Sequence, residues 1–244
     1  MLPVQDAVPS RTTPWMTLTL VAVIGVVAVV TWLDWPSART LILSYGLAPA
    51  HASMWTPVTA ALLHYGLVDA GVNLLTLWIF GDNVEDRLGR GRFLALFVLG
   101  ALASASVVIW LDPTLESPVV GAGGAVGAVL GAYLVLLPVG RVLVLVPAGR
   151  GVDLVEVPAA IVMAFWLLAV SLAAGPRSAG TMGVPMAPVA QLAGLLVGAA
   201  AARLLARPDR RRCEWWNVPA DQFSPVRRRT SRDTSASSVN SASN

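Results

Sequence analysis

Apolar residues run almost unbroken from Trp15 to Leu33 as "WMTLTLVAVIGVVAVVTWL", with no polar face at helical spacing. A helix of that length crosses ~30 Å of hydrocarbon, so the pattern predicts a transmembrane span. Asp34, Trp35 and Pro36 follow it where a small-residue cleavage site would be needed, which marks a retained span and not a signal peptide. Further apolar runs lie at 71–81 with an extension on the N-terminal side, at 93–111, 119–137, 156–174 and 188–206, giving about six spans in all. Asp69 and Asn73 interrupt the outer end of the second. The expected fold is therefore all-α, a polytopic membrane helix bundle. Between the first two spans, Asp34 to about Leu63 forms a long connector broken by Pro36, Pro49 and Pro57. It is too interrupted to cross the bilayer and suits short helices lying in or near the interface.

Composition sharpens this picture. The chain is 56% hydrophobic and 13% charged with mean hydropathy +0.69, against about 25% charged residues in an ordinary soluble domain. All 17 basic residues are arginines. Arg87, Arg90 and Arg92 follow the second span, Arg141 and Arg150 the fourth, and Arg203, Arg207 and Arg210 to Arg212 the sixth. The third-to-fourth connector carries Asp112 and Glu116. Because arginine marks the cytoplasmic side, both termini are expected in the cytoplasm and the protein in the cell membrane, with Arg39 and Arg177 too few to overturn the bias.

Three regions follow: a short cytoplasmic N-terminal segment at 1–14, a six-helix membrane domain at 15–206, and a basic, Ser-rich tail at 207–244 expected to be disordered. The tail's "RRRTSR" is suited to anionic lipid headgroups, or to phosphorylation at Thr230 or Ser231, with Trp215 and Trp216 as interfacial anchors. The single cysteine, Cys213, excludes an intrachain disulfide framework and reads as an idle thiol. Nothing in the chain points to nucleic acid.

Two glycine stripes organise the later spans. Gly123, Gly127 and Gly131 recur every fourth residue in the fourth span, and Gly194 and Gly198 do so in the sixth. Both helices run from outside to inside on the arginine reading, so packing stripe on stripe lets the backbones approach and sets position 123 opposite 191.

The segments "HYGLVDAGVNLLTLWIFGDNVEDRLGRGRF" (64–93), "GAGGAVGAVLGAY" (121–133) and "QLAGLLVG" (191–198), in this order, resemble the rhomboid family of intramembrane serine proteases. The resemblance covers most of residues 15–206 and implies that family's six-span fold with a long first outer loop. It also implies a first motif with two histidines and an asparagine, a second reading glycine, any residue, serine, glycine, and a third opening on histidine. Here His64 and Asn73 match the first motif and Asp69 replaces its second histidine. The nucleophilic serine falls on Gly123 and the catalytic histidine on Gln191.

Acyl transfer requires a nucleophile and a base within hydrogen-bond reach. Glycine has no side-chain atom to attack with, and a carboxamide cannot usefully take a proton. Asp69, beside the place where an oxyanion would form, would oppose that charge. Ser104, Ser106 and Ser117 have no histidine at local helical spacing. A metal site from His51, His64 and Asp69 lacks converging ligands, since 64 and 69 are five apart, and neither metal nor cofactor is expected. Asn73 and Gln191 either line a functional cavity or fix helix register by hydrogen bonding. Gly81 is read as a helix end, and the Glu85, Asp86 and Arg87 cluster as solvated inner-loop charge.

The reading is a catalytically degenerate rhomboid-like protein that binds or regulates other membrane proteins through their transmembrane segments. Two alternatives stand beside it. One is an active intramembrane serine endopeptidase using non-standard residues, and the other a structural or solute-handling membrane protein.

Overall fold

The computed structural model describes residues 2–8, 10–148, 151–174 and 186–206. The tail beyond Ala206, with Cys213, Trp215, Trp216, Thr230 and Ser231, and the connector holding Arg177 lie outside the described residues.

Helix α1 runs Trp15–Leu33, α5 Arg90–Leu111 and α8 Met186–Leu205, and these three are long and apolar enough to cross a membrane. Helix α4, Leu67–Leu88, matches them in length but carries Asp69, Asp82, Glu85, Asp86 and Arg87. It extends well past the apolar stretch predicted for the second span. Its end is set by Gly89, whose φ of 81° lies in the region that favours glycine, so α5 starts at once on the other side of the turn. Gly81 does not end the helix. It lies within α4 where Thr17 packs closely on its backbone; a β-carbon there would sit 2.8 Å from the threonine methyl.

Helix α6, Gly123–Leu136, is short and buried along Gly124–Tyr133. It is the centre of the bundle, flanked by α8, α5 and α4. A helix enclosed by other helices need not present a full membrane thickness of apolar side chains to lipid. Helix α7, Ala159–Ala174, turns Ile161, Phe165 and Leu168 outward. Exposed Trp15 and Trp32 mark the two ends of α1 and Trp110 one end of α5, the arrangement expected at membrane–water interfaces. The long connector forms α2 (Trp35–Tyr45), a 3-10 turn (Pro49–His51) and α3 (Thr56–Ala60), as its proline-broken pattern predicted.

The all-α expectation needs one addition. Strands β1 (Leu2–Asp6), β2 (Arg141–Ala148) and β3 (Gly151–Pro158) make a three-stranded antiparallel sheet in the order β1-β2-β3. The alternation of Val142 and Val144, both buried, with Arg141 and Leu143 places one face of β2 inward.

The N-terminal segment is tied down beyond its strand. Ala7 N–H donates to the Arg141 carbonyl and Asn83 Nδ2 to the Val8 carbonyl. Arg11 N–H and Thr12 Oγ1 donate to the Asp86 carboxylate. Glu85 accepts from Met16 N–H, Thr17 N–H and Thr17 Oγ1, at 3.0, 2.8 and 2.8 Å. Glu85, Asp86 and Arg87 are consequently buried, contrary to the solvated role read from the sequence. Pro14, the residue preceding α1, offers no side-chain cap, so a carboxylate from another helix satisfies the free N–H groups and the positive end of α1.

Candidate functional site

Helices α6 and α8 pack in the same direction with their backbones touching. A β-carbon on Gly194 would collide with the Gly124 carbonyl, one on Gly198 with the Ala128 carbonyl, one on Gly131 with the Leu195 carbonyl, and one on Gly127 with the Gln191 carbonyl. Gly127, Gly131, Gly194 and Gly198 are thus close-approach positions, with Gly124 in place of Gly123 at the end of the seam. A strict every-fourth-residue row drifts by about 40° per step around a helix of 3.6 residues per turn, whereas alternating steps of three and four keep Gly124, Gly127 and Gly131 on the partner. Gly123 therefore leaves the interface, and a β-carbon there would meet nothing within 4 Å.

The segment leading into α6 is held from the long connector. Val119 pairs with Leu47, Gly121 N–H donates to the Ala60 carbonyl at 2.9 Å, and Tyr65 Oη donates to the Pro118 carbonyl. Gly121 has φ 132°, which a side chain would strain. His64, just before α4, accepts from Ala122 N–H through Nε2 at 3.3 Å and is buried. Burial pushes its pKa down to about 4, the Leu62 backbone pulling weakly the other way. The imidazole is neutral near pH 7 and serves as an acceptor that fixes the start of α6.

Asp69 lies in the first turn of α4, with Oδ2 3.7 Å from where a Gly121 β-carbon would be. Asn73 is buried and its amide nitrogen donates to the Asp69 carbonyl at 2.9 Å and to Asp69 Oδ1 at 3.1 Å. Both amide hydrogens are used within one helical turn. Gln191 is 1% exposed, and its Oε1 has no hydrogen-bond partner. Side chains lean toward the N-terminus of their own helix, so Gln191 projects toward the end of α8 that lies beside the start of α6. His64 and Asp69 thus lie against the segment leading into α6, with Asn73 bonded to Asp69, while Gln191 packs its backbone against Gly127 and Gly123 stands off the α6–α8 seam.

Other candidates fall away. Ser104 Oγ donates to the Ala101 carbonyl and Ser106 Oγ to the Leu102 carbonyl, each within α5. Ser104 instead packs against Gly124, a contact with no local sequence signal. His51 and Ser117 are exposed. Among the described residues no three His, Cys, Asp or Glu side chains cluster as a metal site would require.

Fold and site together define a polytopic helical membrane protein built on a glycine-packed helix pair, with buried polar side chains on α4 and α8 beside it. The sequence model described as Rhomboid domain matches residues 51–208, well over half of the chain, and the chain belongs to the rhomboid family. It is similar to the putative rhomboid protease YdcA of Bacillus subtilis (strain 168), 28% identical over 99 residues, 41% of this chain and 49% of that protein. It is also similar to presenilin-associated rhomboid-like protein A, mitochondrial, of Danio rerio, 29% identical over 125 residues, 50% of this chain and 33% of that protein. The chain thus spans about half the length of the first relative and a third of the second.

Proposed function

We propose that this rhomboid-family membrane protein does not cleave peptide bonds and instead binds or regulates other membrane proteins by holding their transmembrane segments. The observation that carries the reading is the pair Gly123 and Gln191 at the family's nucleophile and base positions: open space at the first, and a buried carboxamide with an unpartnered oxygen at the second. Neither group can open an acyl carbon or move its proton, and loss of one catalytic residue alone costs on the order of 10⁶ in a serine protease of this logic. The helices around them pack closely, above all along the α6–α8 seam, which supports a folded scaffold for binding. The arginine bias supports a cell-membrane location with both termini in the cytoplasm, and the arginine-rich tail supports contact with anionic lipid.

Incubation of the purified protein in liposomes with single-span substrates and a serine-reactive fluorophosphonate tests this. The expected result is intact substrate that co-isolates with the protein, and no adduct. Cleavage that disappears on Ser104→Ala would overturn the reading and establish an intramembrane endopeptidase with non-standard residues.

A further inference from the structure

The edge of a sheet is ordinarily blunted by a bulge, a proline, a covering element or charge, because its unpaired N–H and C=O groups recruit further strands. Strand β3 is paired along one side only, with β2, in unbroken register from Gly151 opposite Ala148 to Pro158 opposite Arg141, while β1 lies on the far side of β2. No bulge interrupts it, and its single proline is its last residue. Among the described residues no backbone group outside β2 bonds to it, so alternate residues turn their N–H and C=O groups outward. Asp153, Leu154, Val155 and Glu156 are all exposed, and side-chain alternation puts Leu154, 62% exposed, on one face and Val155, 44% exposed, on the other. Blunting is left to two charges of one sign. Glu156 pairs with Arg141 at 3.4 Å, and among the described residues Asp153 has no ionic partner.

Those charges decide which strand can add. Two copies of β3 meeting antiparallel about Leu154 and Val155 would set Asp153 against Glu156 at both ends, and like charges directly opposite destabilise a strand pair. A strand with basic residues at those places is attracted instead. Its source follows from position: β3 passes into α7 with no residue between Pro158 and Ala159, so the edge starts where the span begins, on the side that the arginine bias assigns to the cytoplasm. Chain leaving the bilayer on that side is enriched in lysine and arginine, as Arg90, Arg92 and Arg203 are in this protein. We propose that the outer edge of β3 takes up a basic, extended juxtamembrane segment of another membrane protein as a fourth strand. Backbone hydrogen bonds supply the affinity, and Asp153 foremost, with Glu156, selects arginine or lysine. The proposal rests on the reading of a protein that binds other membrane proteins, and names the part of the partner that it holds.

The test uses the full chain in nanodiscs of neutral lipid, which leave the inner face open, and fluorescent soluble peptides built of valine and threonine with two arginines three residues apart. One counterpart carries glutamate in place of arginine, and another keeps the arginines but has prolines that forbid a strand. Binding is read by fluorescence anisotropy, and strand addition by hydrogen exchange of the β3 amides. The arginine peptide is expected to protect β3 and to bind about tenfold tighter than the glutamate peptide, while the proline peptide protects nothing. Asp153→Arg, an exposed substitution that leaves the Arg141–Glu156 pair in place, should shrink that preference to about twofold. Equal binding of the arginine and glutamate peptides, binding without protection of β3, or a proline peptide that binds as well as its parent overturns the proposal. So does protection of β3 before any peptide is added, which would mean that the edge is already covered. These outcomes leave the non-cleaving reading in place, because that reading is decided separately by whether single-span substrates are cut.

Discussion

A β-carbon added at Gly194 collides with the Gly124 carbonyl oxygen, whereas one added at Gly123 meets no atom within 4 Å. Gly194→Ala must therefore push α6 and α8 apart or strain them, and is expected to lower stability by about 1–3 kcal/mol. Gly123→Ala should stay within about 0.5 kcal/mol of the parent. Reversible unfolding in mixed detergent micelles separates the two, and equal stabilities would mean that the backbone seam does not hold the pair. His64 gives a second residue-level test. Its pKa falls from 6.5 in the unfolded chain to about 4 in the folded protein because of burial. A depressed folded pKa contributes stability that is complete above pH 6.5 and is lost as pH falls toward 4, because the unfolded chain takes up the proton first. A pH series on the parent and His64→Gln should show a decline over that window that the variant lacks; superimposable curves would remove the burial argument. Residue chemistry was legible in the chain, since a glycine and a glutamine announce what they cannot do. Their offset was not, because helical period fixes faces but not which of two adjacent glycines meets the partner helix.

At the level of elements, α1 begins without a cap of its own and borrows the Glu85 carboxylate from the far end of α4. Glu85→Ala leaves two backbone N–H groups and the Thr17 hydroxyl without an acceptor in a buried place. The expected cost is about 2–3 kcal/mol, the magnitude for hydrogen bonds to a charged group. Glu85→Gln, which keeps one acceptor oxygen, should lose less. Thermal unfolding in detergent measures both, and limited proteolysis near Arg11 should accelerate in Asp86→Ala, whose carboxylate holds Arg11 N–H and Thr12 Oγ1. An Asp86→Ala protein cut at the parent rate would show that the strap is held by its strand alone. The helices themselves were readable from apolar run length. Glu85 and Asp86 were misread because a cluster of charges at a helix end is ordinarily solvated, and the groups that bury them lie about 70 residues earlier in the chain. The β2–β3 hairpin was missed for a related reason: the alternation at Val142 and Val144 sits between apolar runs that already satisfied a helical reading.

For the molecule as a whole, the question is whether this bundle can support intramembrane proteolysis. Space exists at Gly123 for a serine side chain, and histidine is close in size to Gln191, so Gly123→Ser with Gln191→His should fold. Folding is not sufficient. The Asp69 carboxylate lies beside Gly121, and the Asn73 amide donates both to Asp69 Oδ1 and to the Asp69 backbone carbonyl, so the rebuilt pair would generate an oxyanion facing a negative charge with its side-chain donor occupied. Removing a single oxyanion donor costs on the order of 10²–10³ in rate, and a fixed anion adds to that. The double variant is accordingly expected to stay at background on a single-span substrate. Adding Asp69→His removes the charge, frees Asn73 from its bond to Oδ1 and supplies a donor, so the triple variant should cleave faster than the double by on the order of 10². Quantifying product by mass spectrometry in liposomes decides it. If the double variant already cleaves as fast as the triple, Asp69 does not oppose the reaction, and the proposed barrier to cleavage rests on positions 123 and 191 alone. A triple variant that binds segments yet stays silent would place the remaining obstacle in the offset between Gly123 and Gln191, since the seam at Gly124 and Gly194 sets which residues of α6 and α8 can meet.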